Sequence, residues 1–182
     1  MTQLETSIPE VLLFEPKVFT DERGCFFETF NLRIIEALGG HAFVQDNESQ
    51  SKEGVLRGLH YQLGRPQGKL LRVVQGEVFD VAVDMRKASS TFGKWASAIL
   101  SGENKRLLWI PPGFAHGFLT LSSWAVLVYK CTDVYSPKDE RTLIWDDPTL
   151  NIPWPLGGNG RKPLLSPKDV RGVPFLNAEV YP

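Results

Sequence analysis

Two histidines in this sequence sit where an imidazole could move a proton. His60 lies in Arg57-Gly58-Leu59-His60-Tyr61-Gln62, and His116 in Gly113-Phe114-Ala115-His116-Gly117-Phe118. Imidazole changes charge near neutral pH, so it suits general acid–base work. Each of the two opens a β-rich segment beside glycine and charge. A shared pocket and two separate, partly buried structural histidines are equally open readings. The third histidine, His41, follows Gly39-Gly40 and reads as a solvated loop residue.

A metal centre is the first alternative. Barrel metal sites join a His-x-His pair and a Glu from one strand region to a further His from another, a donor set that suits Fe, Mn or Zn. Here Gln62 stands where the second histidine would be, and the next stretch offers Lys69 rather than Glu. An ammonium donates no lone pair and repels a cation, so no metal is expected. What remains is organic acid–base chemistry. Tyr129, in Val126-Leu127-Val128-Tyr129-Lys130, could donate a proton or be a core aromatic. Lys69 could face a developing negative charge or be a solvated strand-end cation. Asp169 could serve a histidine or merely complement a helix N-terminus. Arg23, Arg57, Arg65 and Arg72 cluster around the same segments. Guanidinium forks match phosphate oxygens, and Arg23 and Arg57, beside glycines, are the better candidates. No Walker or dinucleotide glycine motif is present, so a nucleotide would be a handle on the substrate.

The elements that must position these groups are mostly strands. Apolar or alternating runs at Val11–Phe14, Val55–Leu63, Lys69–Gln75, Val78–Met85, Trp95–Leu100, Arg106–Ile110, Gly117–Leu121 and Ala125–Thr132 recur near every ten residues, with Gly and Pro between them. That rhythm predicts a sandwich or barrel. Within Val78–Met85, Phe79, Val81, Val83 and Met85 share one face and Asp80 and Asp84 the other. An aromatic-rich segment, Cys25–Phe30, follows the turn signal Asp21-Glu22-Arg23-Gly24. A helix is predicted over Asn31–Leu38, capped by Asn31 and ended by Gly39-Gly40. A second short one is predicted near Ser166-Pro167-Lys168-Asp169, with Ser166 as cap and Pro167 first. The Pro- and Gly-rich tail from Asp146 should wrap the barrel.

Length and composition agree with one domain, 1–182. The chain has 182 residues, 42% hydrophobic and 23% charged, with a net charge of -1 from 20 basic and 21 acidic residues. That balance argues against nucleic-acid binding. No run is long and apolar enough for a membrane span, and Met1–Pro9 lacks the pattern of a secretory signal. Cys25 and Cys131 read as two reduced thiols of a cytoplasmic protein.

Taken in order, the motifs are Asp21-Glu22-Arg23-Gly24, Glu28, Gln45-Asp46-Asn47-x-Ser49, Leu56 to Gln62, Gly76 to Asp84, and Gly113 to Phe118. From about Ile8 to Asp169 this series resembles the dTDP-4-dehydrorhamnose 3,5-epimerase family. The resemblance implies an all-β fold, a cupin-type jelly-roll barrel with a few short helices in the N-terminal third and at the C-terminus. It implies a substrate, dTDP-4-keto-6-deoxy-D-glucose, and a product, dTDP-4-keto-L-rhamnose. The 4-ketone acidifies the protons at C3 and C5. A base removes one, an enolate forms, and an acid on the other ring face returns a proton. No redox cofactor is required.

By the same resemblance His60 is the base, Asp169 orients it, Tyr129 is the proton donor and Lys69 faces the charge on O4. Arg23, Arg57 and Lys168 match diphosphate positions. Glu28, Gln45, Asp46 and Asn47 match positions near the nucleotide, and His116 and Glu140 further substrate positions. The family's homodimers share strands across the interface, and Arg23 or Glu28 would reach the neighbour's site. Rival readings are an epimerase acting at C3 or C5 alone, a metal-dependent cupin, and a non-catalytic sugar-binding cupin. A related 3,4-ketoisomerase should lack the tyrosine donor, against which Tyr129 speaks.

Overall fold

In a computed structural model, which describes residues 1–158 and 161–182, the periodic strands pair into two antiparallel sheets. The chain runs through β1 (Thr2–Leu4), β2 (Leu12–Glu15), β3 (Val18–Asp21), β4 (Gly24–Phe27), α1 (Leu32–Ala37), β5 (Gln45–Lys52), β6 (Leu56–Gln62), β7 (Lys69–Gln75) and β8 (Glu77–Asp84). It continues through β9 (Trp95–Ser101), β10 (Leu107–Ile110), β11 (Phe114–Thr120), β12 (Trp124–Cys131), β13 (Glu140–Thr142) and α2 (Pro167–Val170). One sheet has six strands in the order β1-β2-β10-β7-β12-β5, and the other five in the order β13-β6-β11-β8-β9. From β5 to β12 the chain crosses between the sheets at every connection except the β8–β9 hairpin. Eight strands wound this way make a jelly roll.

The main core lies between the sheets, where Leu71, Leu108 and Leu127 of one meet Val78, Leu100 and Phe118 of the other. Side chains alternate along a strand, so β8 serves two cores at once. Val78 and Ala82 face the space between the sheets, while Val81, Val83 and Met85 face a second cluster with Leu150, Ile152 and Trp154. The predicted alternation in this segment holds. On its other face Asp80 and Asp84 are both fully buried. Each is paired, Asp80 with His116 and Asp84 with Arg86.

The two predicted helices form where their caps stand. The side chain of Asn31 accepts from Arg33 N at the start of α1, whose Ile34, with Leu38 just beyond the helix, packs on Leu70, Leu107 and Trp109. Ser166 caps α2 with Pro167 at its first position. The tail lies over the outer face of the five-stranded sheet, as its place in the second cluster requires. Within the aromatic-rich segment β4 ends at Phe27, and Glu28, just beyond it, accepts a hydrogen bond from the cap residue Asn31. Strand β11 begins at Phe114, three residues ahead of the predicted Gly117.

Strand β5 carries no signal that apolar periodicity could find. Its sequence is Gln-Asp-Asn-Glu-Ser-Gln-Ser-Lys, yet all eight residues pair with β12. It forms one edge of the six-stranded sheet. Both cysteines are free thiols, Cys25 exposed and Cys131 buried. Among the described residues no helix is long and apolar enough to cross a membrane.

Candidate active site

A cavity of about 660 Å³ is lined by side chains of both sheets. Strand β6 brings His60 and Arg57 to it, β7 brings Lys69, β12 brings Tyr129 and β11 brings His116. Gln45 and Asn47 reach it from β5, Glu140 from β13, and Lys168 and Asp169 from α2. Ten of the thirteen residues singled out from the sequence therefore meet in one place, although they are spread over seven elements.

His60 is set by the way β6 meets β11. It stands directly opposite His116, and the register then shifts so that Arg57 stands opposite Phe118. Gly58 makes this approach possible. Its φ is 125°, and a Cβ built there would lie 2.5 Å from Gly117 Cα. A side chain at this position would force the strands apart.

The ring of His60 meets Asp169 at 2.5 Å through Nε2. Asp169 is held in turn by the start of α2. Its backbone N–H donates to Ser166 Oγ at 3.2 Å while its Oδ2 accepts from Ser166 N at 3.4 Å, a reciprocal capping box, and the same Oδ2 also accepts from Ser166 Oγ at 2.6 Å. Its other oxygen takes a long bond from Gly58 N at 3.4 Å. Burial works against ionisation of Asp169, but the hydrogen bonds from His60 and Ser166 outweigh it and hold the carboxyl at about 2. His60 is drawn down from its usual value, first by burial and further by Lys168 and Lys69, against the upward pull of Asp169. A neutral imidazole beside a fixed carboxylate is a base whose conjugate acid is stabilised as it forms.

Tyr129 stands opposite Asn47 on β5 and Leu71 on β7. Burial, then Cys131, push its hydroxyl up, so it keeps its proton at neutral pH. The predicted alternative of a core aromatic holds in part: the ring packs against the main core while the side chain lines the cavity. Lys69 stands opposite Cys131. Burial lowers its ammonium, and among the described residues nothing accepts a hydrogen bond from it. An unpaired cation in a partly enclosed site attracts a developing oxyanion.

Several further residues brace the site. Asp80, noted only for its strand face, meets His116 Nε2 through both oxygens at 3.1 and 3.0 Å. A carboxylate on a core-facing strand position was the signal for it. Tyr135, in a loop, lines the cavity and is pinned at both ends: its N donates to Gln45 Oε1 at 2.8 Å and its hydroxyl to Glu140 Oε2 at 3.0 Å. Glu140 also receives Lys168 Nζ at 2.7 Å. Ser51 accepts from Arg57 Nε at 2.9 Å and fixes the guanidinium.

Three expected contacts lie outside the cavity of their own chain. Asp46 alternates to the outer face of β5, where it pairs with Lys130 at 3.0 Å and is 73% exposed. The one-residue step from Gln45 or Asn47 reverses its direction. Arg23 occupies the two-residue turn between β3 and β4, pairs with Asp21 at 2.6 Å and is 84% exposed. Glu28 is engaged at the cap of α1. Among the described residues no group of three or more His, Cys, Asp or Glu is placed to hold a metal ion.

Known proteins match the chain closely. The family model for dTDP-4-dehydrorhamnose 3,5-epimerase matches residues 5–177. A dTDP-4-dehydrorhamnose 3,5-epimerase of Pseudomonas aeruginosa is 54% identical over 184 residues, covering 100% of each chain. Among solved structures, a dTDP-6-deoxy-D-glucose-3,5-epimerase from Legionella pneumophila, in complex with dTDP-4-keto-L-rhamnose, is 52% identical with a TM-score of 0.93, covering 98% of this chain and 94% of that one. A 3'-monoepimerase from Streptomyces bikiniensis, in complex with dTDP-quinovose, is 33% identical with a TM-score of 0.85 over 93% of this chain and 86% of that one. The chain belongs to the dTDP-4-dehydrorhamnose 3,5-epimerase family, with its cupin-like jelly roll.

Proposed function

We propose that this epimerase inverts C3 and C5 of dTDP-4-keto-6-deoxy-D-glucose by proton transfer between His60 and Tyr129. The observation that carries the reading is the convergence of the His60–Asp169 pair, Tyr129 and Lys69 on one cavity. The imidazole of His60 takes the proton from a carbon next to the ketone. The electron pair moves onto O4, where the Lys69 ammonium stabilises it. Tyr129 gives its phenolic proton to the opposite face of the same carbon, and the carbonyl re-forms. Repeating the cycle at the second carbon gives dTDP-4-keto-L-rhamnose. Only protons move, so the chemistry calls for no redox cofactor.

Arg57 and Lys168 bind the diphosphate, and Gln45 and Asn47 line the cavity on the Tyr129 side of it. His116 and Glu140 complete the wall. Arg23 and Glu28 serve the cavity of a second copy in a homodimer. Their exposed hairpin, with Phe19 54% and Phe26 72% exposed, has the apolar surface such an exchange would cover. Two free thiols fit a cytoplasmic setting.

The second reading, inversion at one carbon, is favoured by the likeness to the 3'-monoepimerase. Turnover of the keto-sugar in heavy water separates the two. Deuterium at both C3 and C5 of the product is expected, whereas label confined to one carbon would replace the double epimerase with the single one.

A further inference from the structure

Strand β5 turns four polar side chains inward, at Gln45, Asn47, Ser49 and Ser51, and three of them are committed. Gln45 Nε2 donates to Asn47 Oδ1 at 3.0 Å while its Oε1 holds Tyr135 N. Asn47 donates to Cys131 Sγ at 3.5 Å. Ser51 holds Arg57. The fourth is Ser49, which lines the cavity. Among the described residues only Ser49 Oγ and Thr120 Oγ1 are buried side-chain oxygens without a hydrogen-bond partner. A buried hydroxyl left unmatched is costly, and native folds keep few of them.

We propose that Ser49 is a substrate-binding residue whose hydroxyl donates to a diphosphate oxygen of the bound sugar nucleotide. The assignment rests on the epimerase reading for its ligand and on the strand for its place. Ser49 stands opposite Leu127. It lies two residues from Asn47, the partner of Tyr129, and two residues from Ser51, the partner of Arg57. Each step is about 6.7 Å along a strand. Ser49 therefore sits between the proton donor and the diphosphate-binding arginine, where the sugar joins its phosphate. Phosphate oxygens only accept, and a serine hydroxyl with no acceptor in the protein has its hydrogen to give. Arg57, fixed by Ser51, supplies the charge, and Ser49 supplies a neutral donor beside it.

Calorimetric titration with dTDP, which carries the diphosphate but no sugar, tests the assignment without turnover. Ser49→Ala is expected to weaken dTDP binding about tenfold, the size of one hydrogen bond to a charged group. Thermal unfolding should match wild type or improve, because the lost hydroxyl bonds nothing in the protein. Thr120→Val removes the other unmatched hydroxyl, which lies outside the cavity lining, and should leave dTDP affinity at the wild-type value. An unaltered dTDP affinity in Ser49→Ala would overturn the proposal. So would an equal loss in Thr120→Val, which would trace the effect to the fold. A wild-type protein that binds dTDP but does not epimerise the keto-sugar would sink the epimerase reading alone, since the affinity comparison stands without it.

Discussion

Two His–Asp pairs stand side by side at the cavity, and they are built differently. His60 and His116 face each other across β6 and β11. In the first pair the histidine side chain is 24% exposed and Asp169 3%; in the second the figures are 8% and 0%. Asp169 sits in the first turn of a capped helix and receives Ser166 and Gly58 as well as His60. Those donors keep it ionised, at about 2. Asp80 sits mid-strand, and among the described residues His116 alone bonds it. Burial pushes Asp80 up, against the pull of His116 and Lys69. Identical residue types thus give a fixed anion behind a reachable base, and a sealed pair that holds a ring in the wall. The count of donors around each carboxylate, more than the histidine itself, sets the difference.

The sharpest way to break this comparison is to remove the reachable imidazole. His60→Ala should lower kcat by ~10²–10⁴, the usual contribution of one positioned proton-transfer group. It should also abolish solvent deuterium exchange at C3 and C5 of the substrate, read by NMR. Tyr129→Phe should lower kcat on a similar scale while leaving exchange measurable, because the base still removes the proton and only the inverting return is lost. If His60→Ala kept wild-type exchange, the base would have to be the other histidine, and the two pairs would trade roles.

Changing the carboxylates asks for less but tests the pairs directly. Asp169→Asn should cost roughly 10²-fold or more in kcat, since an amide can hold the imidazole in the wrong tautomer and cannot stabilise its cation. It should also lower stability by about 1 kcal/mol through the charge and cap lost at α2. Asp80→Asn should cost about tenfold, one altered hydrogen bond, with thermal stability held or raised because a buried charge is removed. Equal losses from the two variants would erase the distinction drawn between them.

Much of this arrangement was legible in the chain, and the reasons for the gaps are physical. The strands that could be read, such as Lys69–Gln75 and Ala125–Thr132, carry apolar side chains toward a core. Strand β5 escaped because its inward face meets a polar cavity, so no hydrophobic alternation marks it. The outward turn of Asp46 is hidden for the same reason: without a visible strand, nothing in the sequence separates it from Gln45 and Asn47. The helix over Pro167–Val170 was readable from Ser166 and Pro167, and this delivered Asp169 to within reach of His60. Tyr135 is placed by two hydrogen bonds to distant residues, and no local pattern announces contacts of that kind.

The smallest expected effect, a displaced pH limb, separates the two pairs most cleanly. Activity needs His60 neutral. Burial lowers its pKa from 6.5, so the acid limb of kcat/KM should lie below 6.5, with activity lost as pH falls through the folded value. The hydrogen bond to Asp169 opposes that shift, so Asp169→Asn should move the acid limb to still lower pH, on whatever rate remains. Asp80 contacts only the other imidazole, and Asp80→Asn should leave the acid limb where it is. On the alkaline side Tyr129 is pushed above 10, whereas Lys69 is lowered from 10.5 by burial. Loss of either proton closes the alkaline side, so Lys69→Arg, whose guanidinium stays charged, should leave only the Tyr129 limb, above 10. An acid limb that moved with Asp80 and ignored Asp169 would place the base on β11 instead of β6.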